Sequence, residues 1–433
     1  MANDPATIDH RADGRLPNSV GTRATPGAGA GNSPWARRLL AAGLVLAALN
    51  LRPAIAGLGP LLEEVRAALA MNGTVAGLLT SAPALCFAVF GGAAPRLARR
   101  HGPAAVVLAG MAAVTAGLAL RPLAGGTALF LAASVLALAG IAACNVLMPV
   151  VVKRWFPDRI GPMTGLYSMA LSLGTAAAAA LTVPATEALG GDWRLGLGMW
   201  ALLGALALLV WVPVVRGGRD RPAGSAASAG AGSAEDGPAP VIRITRSATA
   251  WALGVFFGLQ ATAAYVIMGW LPQILRDAGL PASTAGLLLA VTMGLGIPLS
   301  FVLPRIAARL GHQGPLVAVL ACCGLGGYAG LWFAPAQGAL VWALLLGVSN
   351  CAFPLVLTMI GMRARTGAGV AKLSAFAQGT GYLIATPGPL LVGALHQHGG
   401  GWHAPLALMA ALMVAQLSVG LVAGRDRCVE DGG

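Results

Sequence analysis

Charge is what this sequence has least of. Asp, Glu, Lys and Arg make up 10% of its 433 residues, against about 25% in soluble proteins. Acidic residues are the scarcer sign, fifteen against 28 Lys and Arg. So few charges cannot cover the water-facing surface of a chain this long, which excludes a soluble enzyme, a secreted disulfide scaffold and a disordered protein. Cysteine is sparse too. Five of the six lie inside apolar runs and none forms a CxxC pair, so they read as small core side chains, with no metal site or disulfide expected. The chain has no P-loop, no intramembrane His/Glu cluster and no Ser/His/Asp constellation that the topology would bring together. Neither a reaction centre nor a cofactor is expected.

What fills the space is apolar sequence. Residues of the AVILMFWYC set make up 57% of the chain, and the mean hydropathy is +0.76. Runs long enough to cross a hydrocarbon core of about 30 Å fall at 38–60, 76–95, 104–121, 127–150, 161–186 and 195–215. Six more fall at 249–271, 283–304, 315–335, 338–361, 371–394 and 403–424. The expected fold is therefore an all-α integral membrane protein of twelve transmembrane helices. Its divisions are a disordered cytoplasmic tail (1–36), a six-helix half (37–215), a cytoplasmic linker (216–248), a second six-helix half (249–424) and a cytoplasmic C-terminal tail (425–433). The linker is rich in Gly, Ala, Ser and Pro, the composition of a flexible connector.

The basic residues alternate with this topology. With both termini inside, 23 of the 28 Lys and Arg fall on cytoplasmic segments and only Arg66, Arg121, Arg194 and Arg276 on the outside. Arg52 stands alone within a span. The net charge of +13 is thus a topology signal whose partner is anionic inner-leaflet lipid, and nucleic acid is not expected.

The two halves echo each other. At an offset of 209, the segment from Ala76 to Gly102 aligns without gaps onto Ala285 to Gly311, with nine identities in 27 positions. At an offset of 205, Asn145 and Pro149 of helix 4 match Asn350 and Pro354 of helix 10, and Gly174-Thr175 matches Gly379-Thr380. Two halves of like orientation imply a pseudo-two-fold axis along the membrane normal, with a site near the midplane between them.

Motifs add a resemblance. Asn50-Leu51-Arg52-Pro53-Ala54-Ile55 with Gly59-Pro60-Leu61-Leu62, Ala76-Gly77-Leu78-Leu79-Thr80, Asn145 to Lys153, Met163 to Ser168, and Trp270-Leu271-Pro272 are similar to the cyanate/2-nitroimidazole transporter branch of the major facilitator superfamily. The resemblance covers nearly the whole chain outside tail and linker. It implies a monomeric transporter of the bacterial cytoplasmic (inner) membrane working by alternating access. Its solute would be a small polar or anionic molecule, a cyanate-like anion or a nitroimidazole-like heterocycle, with a co-transported proton as an option. A hydrophobic-compound exporter of the same fold and, behind it, a membrane-embedded enzyme are the rivals. One departure matters. The superfamily's loop after helix 2 carries an Asp that is absent from Pro95-Arg96-Leu97-Ala98-Arg99-Arg100, so no charge relay through it is expected. The basic residues Arg96, Arg100, Arg305 and Arg309 remain candidates for a cytoplasmic gate.

Arg52 is the sharpest candidate for solute contact. A charge near mid-bilayer costs roughly 2.5–3.5 kcal/mol on insertion scales, and no span carries an acid to offset it. A guanidinium facing a central cavity would grip an anion, nitro or carboxylate group with its fork of donors. The alternative is an arginine that binds helix-end carbonyls or snorkels outward. Asn50, Asn145, Gln260 and Asn350 lie on helices 1, 4, 7 and 10, which line the cavity in the superfamily resembled; each could instead be interhelical glue. Tyr167, Tyr265, Tyr382 and Gln378 could complete the pocket, or pack. Pro53 should free the Leu49 carbonyl and, with Gly57, make helix 1 a hinge; Pro149 and Pro354 are the corresponding hinges of helices 4 and 10. His396, His398 and His403 are expected in a solvated loop.

Overall fold

The computed structural model describes residues 34–156, 159–216 and 244–429. Most of the expected N-terminal tail and linker therefore lie outside the described residues. Among the described residues, eleven helices are long and apolar enough to cross a bilayer: Arg38–Ala68, Gly73–His101, Pro103–Leu123, Thr127–Trp155, Pro162–Ala188, Trp193–Pro213, Ala248–Asp277, Ala282–Arg309, Gly314–Phe333, Ala339–Met362 and His403–Ala423. The remaining crossing, helix 11, comes in two pieces, Gly367–Ala385 and Pro387–Gly399, parted at Thr386 where a proline follows. Several helices overrun the apolar stretch that marks them in the sequence. Helix 1 reaches Ala68 and helix 7 reaches Asp277, because their polar last turns stand beyond the hydrocarbon and still complete backbone hydrogen bonds.

Large apolar side chains point outward, among them Phe333 at 81% exposure and Leu202 at 74%. A soluble surface would not carry so many; a lipid-facing one requires them. Residues 216 and 244 flank the linker and mark one face of the bundle, here termed the linker face; the opposite one is the far face.

The repeat read from the sequence has a backbone counterpart. Helix 1 closes with Met71 N–H donating to the Arg66 carbonyl at 2.9 Å, and helix 7 closes with Leu280 N–H donating to the Leu275 carbonyl at 3.1 Å. Both are the six-to-one bond of a Schellman cap, 209 residues apart. The left-handed residue of the pair is Gly279 (φ 93°) in one half and Ala70 (φ 49°) in the other. Helices 2 and 8 are each interrupted near the same register, by a π turn at Phe87–Gly91 and at Leu295.

Lipid offers no hydrophobic drive for helix against helix, so close packing of small residues does that work. Between the halves, helix 5 packs on helix 8 and helix 2 on helix 11. Gly286 of helix 8 lies against the Ala179 carbonyl, and Gly77 of helix 2 lies against the backbone of Pro389 and Leu390. Within the N-terminal half, Gly174 of helix 5 lies against the Leu49 carbonyl, the group that Pro53 deprives of its donor.

The repeat partners Gly174 and Gly379 differ in surroundings. A Cβ at Gly174 would collide with Leu49 backbone, whereas nothing stands within 4 Å of one at Gly379. Gly174→Ala should therefore destabilise the detergent-purified protein by about 1–3 kcal/mol, while Gly379→Ala should melt within about 0.5 kcal/mol of wild type. Paired thermal melts decide it; equal losses at both sites would contradict the packing described.

Candidate functional site

Helix 1 breaks where its motif predicts. Its first piece ends at Asn50; Leu51 bonds only three residues back, to Ala48 at 3.2 Å; Arg52 sits outside helical geometry (φ −122°, ψ −27°); and Pro53 opens the next short helix, Pro53–Ala56. At this break the Arg52 side chain lines a cavity of about 390 Å³ between the halves. Gly57 is not a strained hinge. Its φ is −77°, and its role is room, because a Cβ there would crowd Thr182 and Trp200. Helix 10 breaks likewise at Asn350–Cys351, four residues before Pro354. Pro149, by contrast, leaves helix 4 continuous from Thr127 to Trp155, so the hinge expected there is not a break.

The cavity draws its wall from helices 1, 5, 7, 8, 10 and 11. Of the expected contact residues, Arg52, Tyr265, Asn350 and Tyr382 line it. Arg52 is the one charged side chain among the described lining residues, and Tyr265 shares the wall with it. Tyr382 is held by stacking on Phe87 (centroids 4.9 Å) and by an edge contact with Phe257 (5.1 Å). Met268, Met293 and Phe353 are prominent in the apolar part of the wall.

The other five candidates stand behind or away from it. Asn50 is fully buried on the opposite side of helix 1, its amide beside Gly204, and neither amide atom finds a partner. Asn145 and Tyr167 satisfy each other, the tyrosine hydroxyl and the Asn145 Oδ1 lying 3.1 Å apart. Gln378 donates to Ser374 on its own helix at 2.6 Å. Gln260 is a support for the wall rather than part of it. Pro354 removes the N–H that would reach the Asn350 carbonyl, and Gln260 Nε2 donates to that carbonyl at 3.0 Å and to Asn350 Oδ1 at 3.1 Å. Gln416 of helix 12 donates in turn to Gln260 Oε1 at 3.0 Å.

Sequence reasoning missed a row of hydroxyls on helix 5. Thr164, Ser168, Ser172 and Thr175 all line the cavity. Their spacing of four, four and three is the signature of one helical face, legible once sought. It also missed the far-face closure, whose parts lie far apart in the chain. Arg276 of helix 7 meets Glu63 at 3.0 Å and Glu64 at 2.9 Å, both on the last turns of helix 1. Thr74 and Gln397 join helices 2 and 11, and Trp270 Nε1 donates to Thr80 Oγ1 at 3.2 Å. His396 stacks on Trp402 at 4.1 Å and is half-buried, whereas His398 is exposed and His403 is exposed while meeting Trp332 edge-on at 4.8 Å. On the linker face Arg96, Arg100, Arg305 and Arg309 are exposed, and the lining residues of helices 5, 8 and 10 run toward that face. The cavity is shut on the far side and open on the linker side.

Two six-helix halves around a midplane cavity closed at one face have the layout of a membrane transporter. The sequence profile of the Major Facilitator Superfamily matches residues 39–385, and the chain belongs to that superfamily. The 2-nitroimidazole transporter of Escherichia coli K12 is 35% identical over 90% of this chain and 96% of its own length. An uncharacterised transporter of Bacillus subtilis strain 168 is 33% identical over 90% and 94%, and the cyanate transport protein of E. coli K12 is 31% identical over 87% and 95%. Among solved structures, a nucleoside transporter aligns with a TM-score of 0.70 at 12% identity over 89% of this chain and 99% of its own. A bacterial Spinster homologue in an inward-facing, occupied conformation aligns at 0.68 and 16%, over 93% and 94%. At such identities these last two speak for the fold alone.

Two variants test this geometry. Gln260→Leu strands a buried carbonyl and the Gln416 amide, and should lower stability by about 1–3 kcal/mol in thermal melts; no loss would mean the network is idle. Arg276→Gln removes the central charge of the far-face closure. Its carboxylate partners are a third to a half exposed, so screening limits the effect to roughly 1 kcal/mol, about a fivefold drop in the closed population. Disulfide formation between Thr74→Cys and Gln397→Cys reports that population, and an unchanged yield would remove the latch role.

Proposed function

We propose that this protein carries a small anionic or strongly polar solute across the bacterial cytoplasmic membrane by alternating access, with Arg52 as its binding charge. The observation that carries the reading is Arg52 itself: a guanidinium released by a proline break into a cavity whose described wall holds no acid to neutralise it. Such a group stays hydrated or takes an anion, and the solute's carboxylate, cyanate or nitro oxygens supply what the wall withholds. Tyr265, Tyr382 and Asn350 add neutral donors and acceptors, which suit a heterocycle or small anion without fixing a second charge. The 2-nitroimidazole and cyanate relatives support this solute class.

The excess of Lys and Arg on the linker face supports a cytoplasmic location for it, so that the cavity opens inward. Coupling does not run through an acid in the cavity wall. Exchange, or the solute's own protonation beside Arg52, is the mode that fits. The apolar remainder of the wall, Met268, Met293 and Phe353 among it, favours hydrophobic-compound export as a second reading.

Ligand-induced thermal stabilisation separates the two. At a hundredfold excess over Kd a bound probe adds about 2.7 kcal/mol to the stability of the folded state. Cyanate, nitrite, benzoate or 2-nitroimidazole should stabilise wild type and lose that effect in Arg52→Gln. Stabilisation by a lipophilic cation alone, undiminished in Arg52→Gln, would replace anion transport with export.

A further inference from the structure

Beside the half-buried Arg52, the N-terminal half buries a second guanidinium that no carboxylate meets among the described residues. Arg121, at the end of helix 3, is 1% exposed. Its Nε donates to Ser134 Oγ at 3.0 Å, its Nη1 to the Ala54 carbonyl at 2.8 Å, and its charge lies 5.6 Å from the Phe130 ring centre. Two neutral acceptors and one ring face offset only part of the desolvation of a group with five donors and a full charge. The Ala54 bond has its own logic. Helix 1 tightens beyond Pro53, Leu58 bonds to Ile55 instead of Ala54, and the carbonyl left over is capped by Arg121. Capping needs one donor, and a neutral side chain could supply it.

A second observation says why a charge stands there. Arg121 lines a small cavity of about 20 Å³ with Ala54, Leu58, Thr80, Tyr265 and Gly269, room for about one water. Tyr265 also lines the large cavity that holds Arg52, so one side chain is common to the walls of both. The small cavity takes its wall from both halves, and it lies directly beneath the far-face closure, where Thr80 meets Gly269 and Trp270. When the halves part on that face, this is the space that widens.

We infer that Arg121 is a second anion-binding residue on the transport path, the guanidinium that an incoming solute meets from the far face before it passes Tyr265 to Arg52. The inference rests on the reading above in taking the solute to be anionic. In the linker-open state the site is collapsed to the size of a water. In the far-open state the two arginines share one vestibule, and the anion moves between two charges of the same half.

The test reads the charge of the cavity without needing any solute to be carried. Leu79 lines the same small cavity. Leu79→Cys is placed in the full chain with the six native cysteines replaced by alanine, and membrane-impermeant methanethiosulfonates bearing a sulfonate or a quaternary ammonium are added at the far face. The cysteine should react, faster with the sulfonate. The sulfonate-to-ammonium rate ratio should fall roughly tenfold or more in Arg121→Gln and recover in Arg121→Lys, which keeps the charge but not the fork. No reaction from the far face, a ratio unmoved by Arg121→Gln, or a failure of Arg121→Lys to restore it would overturn the proposal. If Arg121→Gln does not fold, a ratio below one in the Arg121 protein overturns it alone. Loss of the Arg52 reading in the stabilisation assay would leave these rates standing, so the two failures are distinguishable.

Discussion

In hydrocarbon a backbone carbonyl without a donor costs several kcal/mol, and water cannot repair it. This protein breaks its helices all the same, and the way each stranded carbonyl is met organises the site. Pro53 frees Leu49, and Gly174 of helix 5 brings its backbone against that oxygen. The tightened turn beyond frees Ala54, which Arg121 caps. Pro354 frees Asn350, and Gln260 reaches across from helix 7 to bond it. Two of these carbonyls, Ala54 and Asn350, are bonded by a polar side chain from a different helix, Arg121 and Gln260 respectively.

The same economy governs the contacts that close the bundle. On the far face the halves meet through glycine backbones, which permit close approach and parting, and through Arg276 with its two glutamates. Neither kind of contact is strong: lipid supplies no hydrophobic drive and partly exposed ion pairs are worth little. A closure built of weak terms can open at small net cost. On the linker face the four arginines of helices 2 and 8 lie exposed in this state.

Much of the fold was legible from hydropathy and the offset of 209, because lipid imposes length and apolarity on every crossing and duplication leaves its register behind. The Schellman caps at Met71 and Leu280 repeat that offset in hydrogen bonds. The site was legible only in part. Arg52 and Pro53 announced themselves by chemistry foreign to a membrane span. Asn50, two residues away, faces the opposite side of helix 1 and lies beside Gly204, since 100° per residue separates neighbours that a linear reading groups together. Gln260 was rightly read as conspicuous, yet its partner is a carbonyl freed ninety positions on, and no local pattern announces such a pairing. Arg121 and Arg276 were hidden by the charge count itself, which filed them as outside-loop residues. The structure shows Arg121 buried and Arg276 bound to the other half.

A division of labour between the halves follows from these placements. The N-terminal half holds both unneutralised guanidinium groups, Arg52 and Arg121. The C-terminal half contributes neutral groups, Tyr265, Tyr382 and Asn350. What the C-terminal half sets around the cavity is therefore uncharged among the described lining residues: hydroxyls, an amide, methionines and other apolar side chains. Tyr265, a phenol common to both cavity walls, is the one side chain that lines the space around each guanidinium among the described residues. A hydroxyl can leave one guanidinium without the penalty of breaking a buried ion pair. A mid-membrane arginine with phenols and an amide around it, and no carboxylate in the described wall, keeps its guanidinium free to exchange partners, which is what anion binding at Arg52, as proposed, would require.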